Sequence, residues 1–135
     1  MKEVLKLVFV LFFVSCTSIK GPSQPTFGIV IHGGAGTILK ENMTPEMEHA
    51  YENKLSEAIS VGHKILKEGG SSQEAVEKTI HVMENSPLFN SGKGAVLTAE
   101  ESIALDASFM DGNTLDAGAV AGVKHIKNPI SAAIR

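Results

Sequence analysis

Partway along this chain the hydrophobic period changes, and that change constrains the fold more than any other feature. Between residues 44 and 86 the apolar positions recur in steps of three and four. Met47, Tyr51, Leu55, Ala58, Ile59, Gly62, Ile65 and Leu66 mark one face of a long amphipathic helix. Thr44 is its expected N-cap, with Pro45 at the first helical position. Gly69-Gly70 stops it. Ser71 and Glu74 form a capping box for a second helix, with Val76, Ile80 and Met83 as its apolar positions and an end before Pro87. From residue 95 the pattern is that of short strands: 95–98, a turn at 99–102, then 103–110, a turn at Asp111-Gly112-Asn113, and the small-residue run 117–123. Short links between neighbouring strands require antiparallel pairing. Helices grouped on one side of such a sheet give an α+β layer. A further β-branched run, 27–31, precedes the helices and ends in Gly33-Gly34-Ala35-Gly36, as a buried strand entering a tight loop would. Asn128-Pro129 is expected to cap a last helix.

The ends and the charge balance narrow the class. Lys2 and Lys6 precede the apolar run Val8-Phe9-Val10-Leu11-Phe12-Phe13-Val14, which is followed by Ser15-Cys16, the pattern of an export signal. That run is shorter than the roughly 20 residues a bilayer span takes. Cys16 is the single cysteine of the 135 residues and has no partner for an internal disulfide. Its position resembles a bacterial lipobox, which makes it a lipidation candidate; the other reading is an ordinary signal peptide with an incidental cysteine. Residues 1–16 are thus expected to be a signal peptide, 17–26 a linker rich in Pro and Ser, and 27–135 the folded part. The protein would be exported, to a bacterial periplasm or to a membrane through its lipid anchor. A formal net charge of -3 leaves no basic footprint for nucleic acid.

Four local patterns could carry chemistry. His32-Gly33-Gly34-Ala35-Gly36 follows a strand, and backbone N–H groups in such a loop can bind an anion or oxyanion. An α/β hydrolase would also need a G-x-S-x-G elbow, which these residues lack, and the glycine spacing does not fit a dinucleotide loop. A hydrolase of another fold and a plain tight turn stay open. Asn90-Ser91-Gly92-Lys93-Gly94 lacks the first Gly and the final Ser/Thr of a phosphate loop, although its carbonyls could face a cation. Asp106, Asp111 and Asp116 are better read as turn residues than as a metal or acid/base set. The five histidines, at 32, 49, 63, 81 and 125, show no zinc-ligand spacing, and those in the helices read as surface or helix-face residues. None of the Ser and Thr hydroxyls has an identifiable adjacent base.

Taken in order, four blocks resemble one family. They are Ile31-His32-Gly33-Gly34-Ala35-Gly36-Thr37, then 87–98 (Pro-Leu-Phe-Asn-Ser-Gly-Lys-Gly-Ala-Val-Leu-Thr), then Leu105-Asp106-Ala107-Ser108-Phe109-Met110-Asp111-Gly112. The last runs from 117 to 123 and on to Lys127-Asn128-Pro129-Ile130. Together they resemble the plant-type asparaginase/isoaspartyl peptidase family of N-terminal-nucleophile hydrolases over about residues 28–135.

The resemblance implies a four-layer αββα sandwich, of which this chain would supply one helix layer and antiparallel strands. It implies a precursor that cuts itself in two and exposes a Thr, whose hydroxyl is the nucleophile and whose α-amino group is the base. In the family that Thr stands in a Gly-Thr-Val-Gly block after a long linker; no such block occurs here, so the chain is expected to be the first part of a longer precursor, inactive alone. Implied substrates are L-asparagine and β-aspartyl dipeptides. Implied partners are the protein's own C-terminal (β) subunit and a second such heterodimer. Gly33, Gly34 and Asn90 resemble the residues supporting the active site. Met83, Glu84, Ser86, Phe89, Ser91 and Lys93 resemble a loop that holds sodium through backbone carbonyls; no organic cofactor is implied. The other possibility is a surface lipoprotein that keeps half the fold as a binding module without catalysis.

Overall fold

The computed structural model describes residues 27–34 and 39–135; the expected signal, Cys16, the linker and Ala35-Gly36-Thr37 lie outside the described residues. Two long helices form as their local signals require. Helix α1 spans Pro45–Lys67, and the Thr44 hydroxyl accepts the Met47 amide at its start. At its end Gly70 N–H donates to the Ile65 carbonyl at 2.8 Å and Gly69 N–H to the Leu66 carbonyl at 3.1 Å. This pair of bonds is a Schellman motif, and Gly69 adopts the positive φ of 85° that it demands. Helix α2 spans Ser72–Glu84, with the Ser71 hydroxyl accepting the Glu74 amide at 3.1 Å.

The two helices pack through small residues. Ala58 and Gly62 of α1 and Ala75 and Thr79 of α2 are buried. A Cβ on Gly62 would collide with Thr79 Oγ1 on α2 and with Ile29 Cδ1 of the preceding segment. Gly62 is therefore where three pieces of chain meet: the two helices and residues 27–34.

Strand β1 (Leu105–Met110) pairs antiparallel with β2 (Ala117–Val123), as expected from the short turn between them. Asp111 builds that turn. Its Oδ1 accepts the amides of Asn113 at 2.7 Å and Thr114 at 3.1 Å, while its own N–H donates to the Asp116 carbonyl. A register irregularity lies opposite Asp106, whose Oδ1 accepts the Gly122 amide at 2.7 Å. Asp106 and Asp111 thus serve backbone geometry, as their turn-like context indicated. A five-residue helix, α3 (Pro129–Ala133), packs on the hairpin so closely that a Cβ on Gly118 would overlap the Ala133 carbonyl.

Two expected strands do not join a ladder. Residues 27–31 and 95–98 carry no strand assignment, and the described residues hold one sheet, of two strands. Residues 27–34 still alternate between half-buried and exposed, as an extended segment laid on a core does. A strand is completed by its neighbour's hydrogen bonds, and neither segment has one alongside. A consequence is where apolar surface is left open. Val30 is 93% exposed, Val96 66% and Leu97 62%. The outward positions of the hairpin are mostly small or polar (Asp106, Ser108, Ala117, Ala119, Ala121), with Met110 the large exception. Among the described residues no helix is long and apolar enough to cross a membrane.

Candidate active-site framework

The glycine loop and the loop after α2 come together around Phe89. Phe89 is buried and stacks edge-on against Tyr51 of α1, with ring centroids 5.8 Å apart. A Cβ on Gly33 would lie 3.2 Å from Leu55 Cδ2 and 3.7 Å from Phe89 Cε1, so a side chain there would press on this cluster. Gly34 follows at φ 118° with open space around it, and its N–H donates to His32 Nδ1 at 3.2 Å. Gly33 thus lies against the buried ring of the residue that precedes Asn90.

Asn90 is exposed, and its Oδ1 accepts the Val96 amide at 2.9 Å. That bond substitutes for a missing ladder partner and holds the extended run 95–98. Asn90, Gly92, Val96, Leu97, Leu105 and Pro129 line a groove of about 350 Å³. Its two walls are the loop after α2 with the extended run, and the start of β1 with the first residue of α3.

The loop from Met83 to Lys93 is built from folded-back carbonyls. The Met83 carbonyl accepts from Ser86 N–H at 3.0 Å, that of Phe89 from Ser91 at 2.7 Å, and that of Ser91 from Gly94 at 3.1 Å. Gly92 is buried at φ 52°, and a Cβ there would overlap the Glu84 carbonyl; one on Gly94 would overlap the carbonyls of Phe89 and Pro87. Glycine is required at both places for close approach to these carbonyls. Carbonyl oxygens with a spare lone pair suit a hard cation. Ser86 is buried, with its hydroxyl accepting the Leu88 amide at 3.2 Å, whereas the Lys93 side chain is exposed. Among the described residues no three His, Cys, Asp or Glu side chains cluster as metal ligands, so a cation in this loop would depend on carbonyls.

Two side-chain arrangements were not legible beforehand. The Asn128 side chain makes no cap bond to α3; its Nδ2 donates instead to Glu84 Oε2 at 2.9 Å. The cap of α3 is the Glu84 carboxylate, whose Oε1 accepts the Ile130 amide at 3.1 Å. The absence of a base near any hydroxyl is also corrected: Ser131 Oγ lies 2.7 Å from His81 Nε2. The hydroxyl proton is already committed to Glu77 Oε1, 2.6 Å away, so the imidazole must donate to the oxygen rather than take its proton. This arrangement ties α2 to α3. His49 and His63 match the surface reading, both being exposed, with His63 edge-on to Phe27 at 5.3 Å.

Known proteins resemble this chain in sequence. A family model described as asparaginase matches residues 24–135. The isoaspartyl peptidase of Escherichia coli is 49% identical over 105 residues, covering 78% of this chain and 33% of that protein. The plant-type L-asparaginase of Pyrococcus horikoshii is likewise 49% identical over 105 residues, covering 78% of this chain and 33% of its own length. The isoaspartyl peptidase/L-asparaginase of Xenopus laevis is 41% identical over 105 residues, 78% of this chain and 32% of that protein. The chain spans about a third of the length of the curated relatives it matches.

Proposed function

The chain belongs to the asparaginase family, and from that membership we propose that it is the N-terminal, α-subunit part of a self-cleaving amidohydrolase acting on L-asparagine and β-aspartyl dipeptides. The observation that carries this reading is the 49% identity, over 105 residues, to proteins named isoaspartyl peptidase and plant-type L-asparaginase. In the proposed whole protein a Thr beyond these residues becomes a new N-terminus. Its hydroxyl attacks the side-chain amide carbonyl, its own α-amino group takes the hydroxyl proton, and ammonia or an amino acid leaves. Water then releases aspartate from the acyl-enzyme.

The residues present would supply the frame. Gly33 and Gly34 would let the loop come close to the nucleophile, and Asn90 would orient that region from the groove. The unpaired run 95–98 would gain strand neighbours in its own sheet from the rest of the whole protein, and that sheet would pack face to face on a second one in an αββα sandwich. The carbonyls of the loop from Met83 to Lys93 would hold a structural sodium ion, fixing the loop that carries Asn90. The protein would associate with its own β subunit and pair as a dimer of heterodimers. Export with a lipid on Cys16 is the proposed localisation.

The test is the coding sequence and the processed protein. An in-frame continuation beyond Arg135 containing a Gly-Thr-Val-Gly block, with two chains separated before that Thr after purification, is the expected result. A continuation without such a block, or a precursor that stays whole, would sink the self-cleaving hydrolase and favour a binding module.

A further inference from the structure

Among the described residues Glu84 carries a buried carboxylate, 3% exposed. It is the last residue of α2, and it touches both walls of the groove. Through its main chain it supports one wall, because Gly92 packs so tightly on the Glu84 carbonyl that no Cβ fits between them. Through its side chain it holds the other: Oε1 accepts the Ile130 amide at 3.1 Å and Oε2 the Asn128 amide nitrogen at 2.9 Å. Those two residues flank Pro129, which lines the same groove as Asn90. We propose that Glu84 is a positioning residue whose carboxylate sets the spacing of the two groove walls and thereby the placement of Asn90.

This inference rests on the reading of Asn90 as an active-site support residue. The physical case is specific. At the start of α3 Pro129 has no N–H and Ser131 N–H donates to the Asn128 carbonyl, so Ile130 is the amide that needs an outside acceptor, and a carboxylate is the strongest a side chain can offer. Ile130 is buried, so losing that acceptor would leave its N–H without a partner or water. The wall would relax toward other partners, and the groove would change width. A neutral amide keeps one carbonyl oxygen for Ile130, and Asn128 can turn its own oxygen toward the new NH2 group.

The experiment uses the full-length protein with Glu84→Ala, Glu84→Gln and Asn128→Ala. Hydrogen exchange is read at the Val96 amide, which Asn90 holds, beside kcat and KM for aspartate release. Glu84→Ala is expected to speed exchange at Val96 and to lower kcat about tenfold or more, as small misplacements do. KM should stay within about twofold, and Glu84→Gln should restore most of both readouts. A Glu84→Ala protein that melts lower yet keeps wild-type exchange at Val96 and wild-type kcat would overturn the proposal and leave Glu84 a packing residue. If Glu84→Ala does not fold, Asn128→Ala removes only one of the two bonds: faster exchange at Val96 supports the proposal, and unchanged exchange overturns it. A wild-type protein that releases no aspartate would defeat the hydrolase reading separately, while exchange at Val96 still decides whether Glu84 sets the wall.

Discussion

Ser131 Oγ stands 2.7 Å from His81 Nε2 across a separation of 50 residues, and the contact fastens the last helix to α2. The same hydroxyl donates to Glu77 Oε1, and this bond, above all, holds the Glu77 carboxyl below its usual 4.5. Partial burial pushes the other way, and the charges of Lys78, His81 and Arg135 add smaller lowering effects.

A carboxyl whose folded pKa is depressed stabilises the fold above its unfolded pKa and loses that contribution as pH falls through the folded value. Ser131→Ala should therefore melt below wild type near neutral pH, and the gap should narrow on acidification through and below 4.5. Melting curves at a series of pH values check this. A gap that stays constant would show that Ser131 acts by packing alone.

Gly62→Ala should destabilise the protein by about 1–3 kcal/mol, the usual cost of forcing an extra carbon into a packed contact. Its Cβ has nowhere to go, with Thr79 Oγ1 and Ile29 Cδ1 already in that space. Gly28→Ala is the matched control, since nothing lies within 4 Å of its Cβ position. Denaturant midpoints of the two variants should separate clearly; equal midpoints would place the helix crossing elsewhere.

The helix ends were legible in the sequence because their determinants are local. Thr44, Ser71 and Gly69 each act within five residues of the groups they satisfy, and all three take their expected roles. Strand β2 was legible for a similar reason, bounded by the Asp111 turn and the small residues that let α3 sit on Gly118. The misses are non-local. Residues 27–31 and 95–98 have strand composition but no paired neighbour among the described residues, and composition cannot supply one. Asn128 has the identity of a cap, yet a carboxylate 46 positions before Ile130 takes that place. Gly33, Gly34 and Asn90 stand out in the sequence through the family resemblance alone. That Phe89 lies against Gly33 could be read only from the packing.

The carbonyl-lined loop predicts a specific salt effect. The full-length protein should melt higher in sodium than in a large organic cation at equal ionic strength, because a ligand bound only by the native state raises stability by mass action. Identical melting in the two salts would remove the cation from the account.

Cys16 predicts a covalent lipid. Fatty-acid labelling in the host should tag the wild type and fail with Cys16→Ser. Label that persists in the variant would leave only an ordinary export signal.

Under the proposed function these residues frame a site whose nucleophile lies elsewhere in the whole protein. The most direct test is aspartate release from a β-aspartyl dipeptide, measured side by side for the purified 135-residue chain and the full-length protein, with host asparaginase excluded. The prediction is no turnover by the 135 residues alone, and turnover by the full-length protein only after it has cut itself before a Thr. Turnover by the 135-residue chain, or a self-cleaved full-length protein that releases no aspartate, would contradict it.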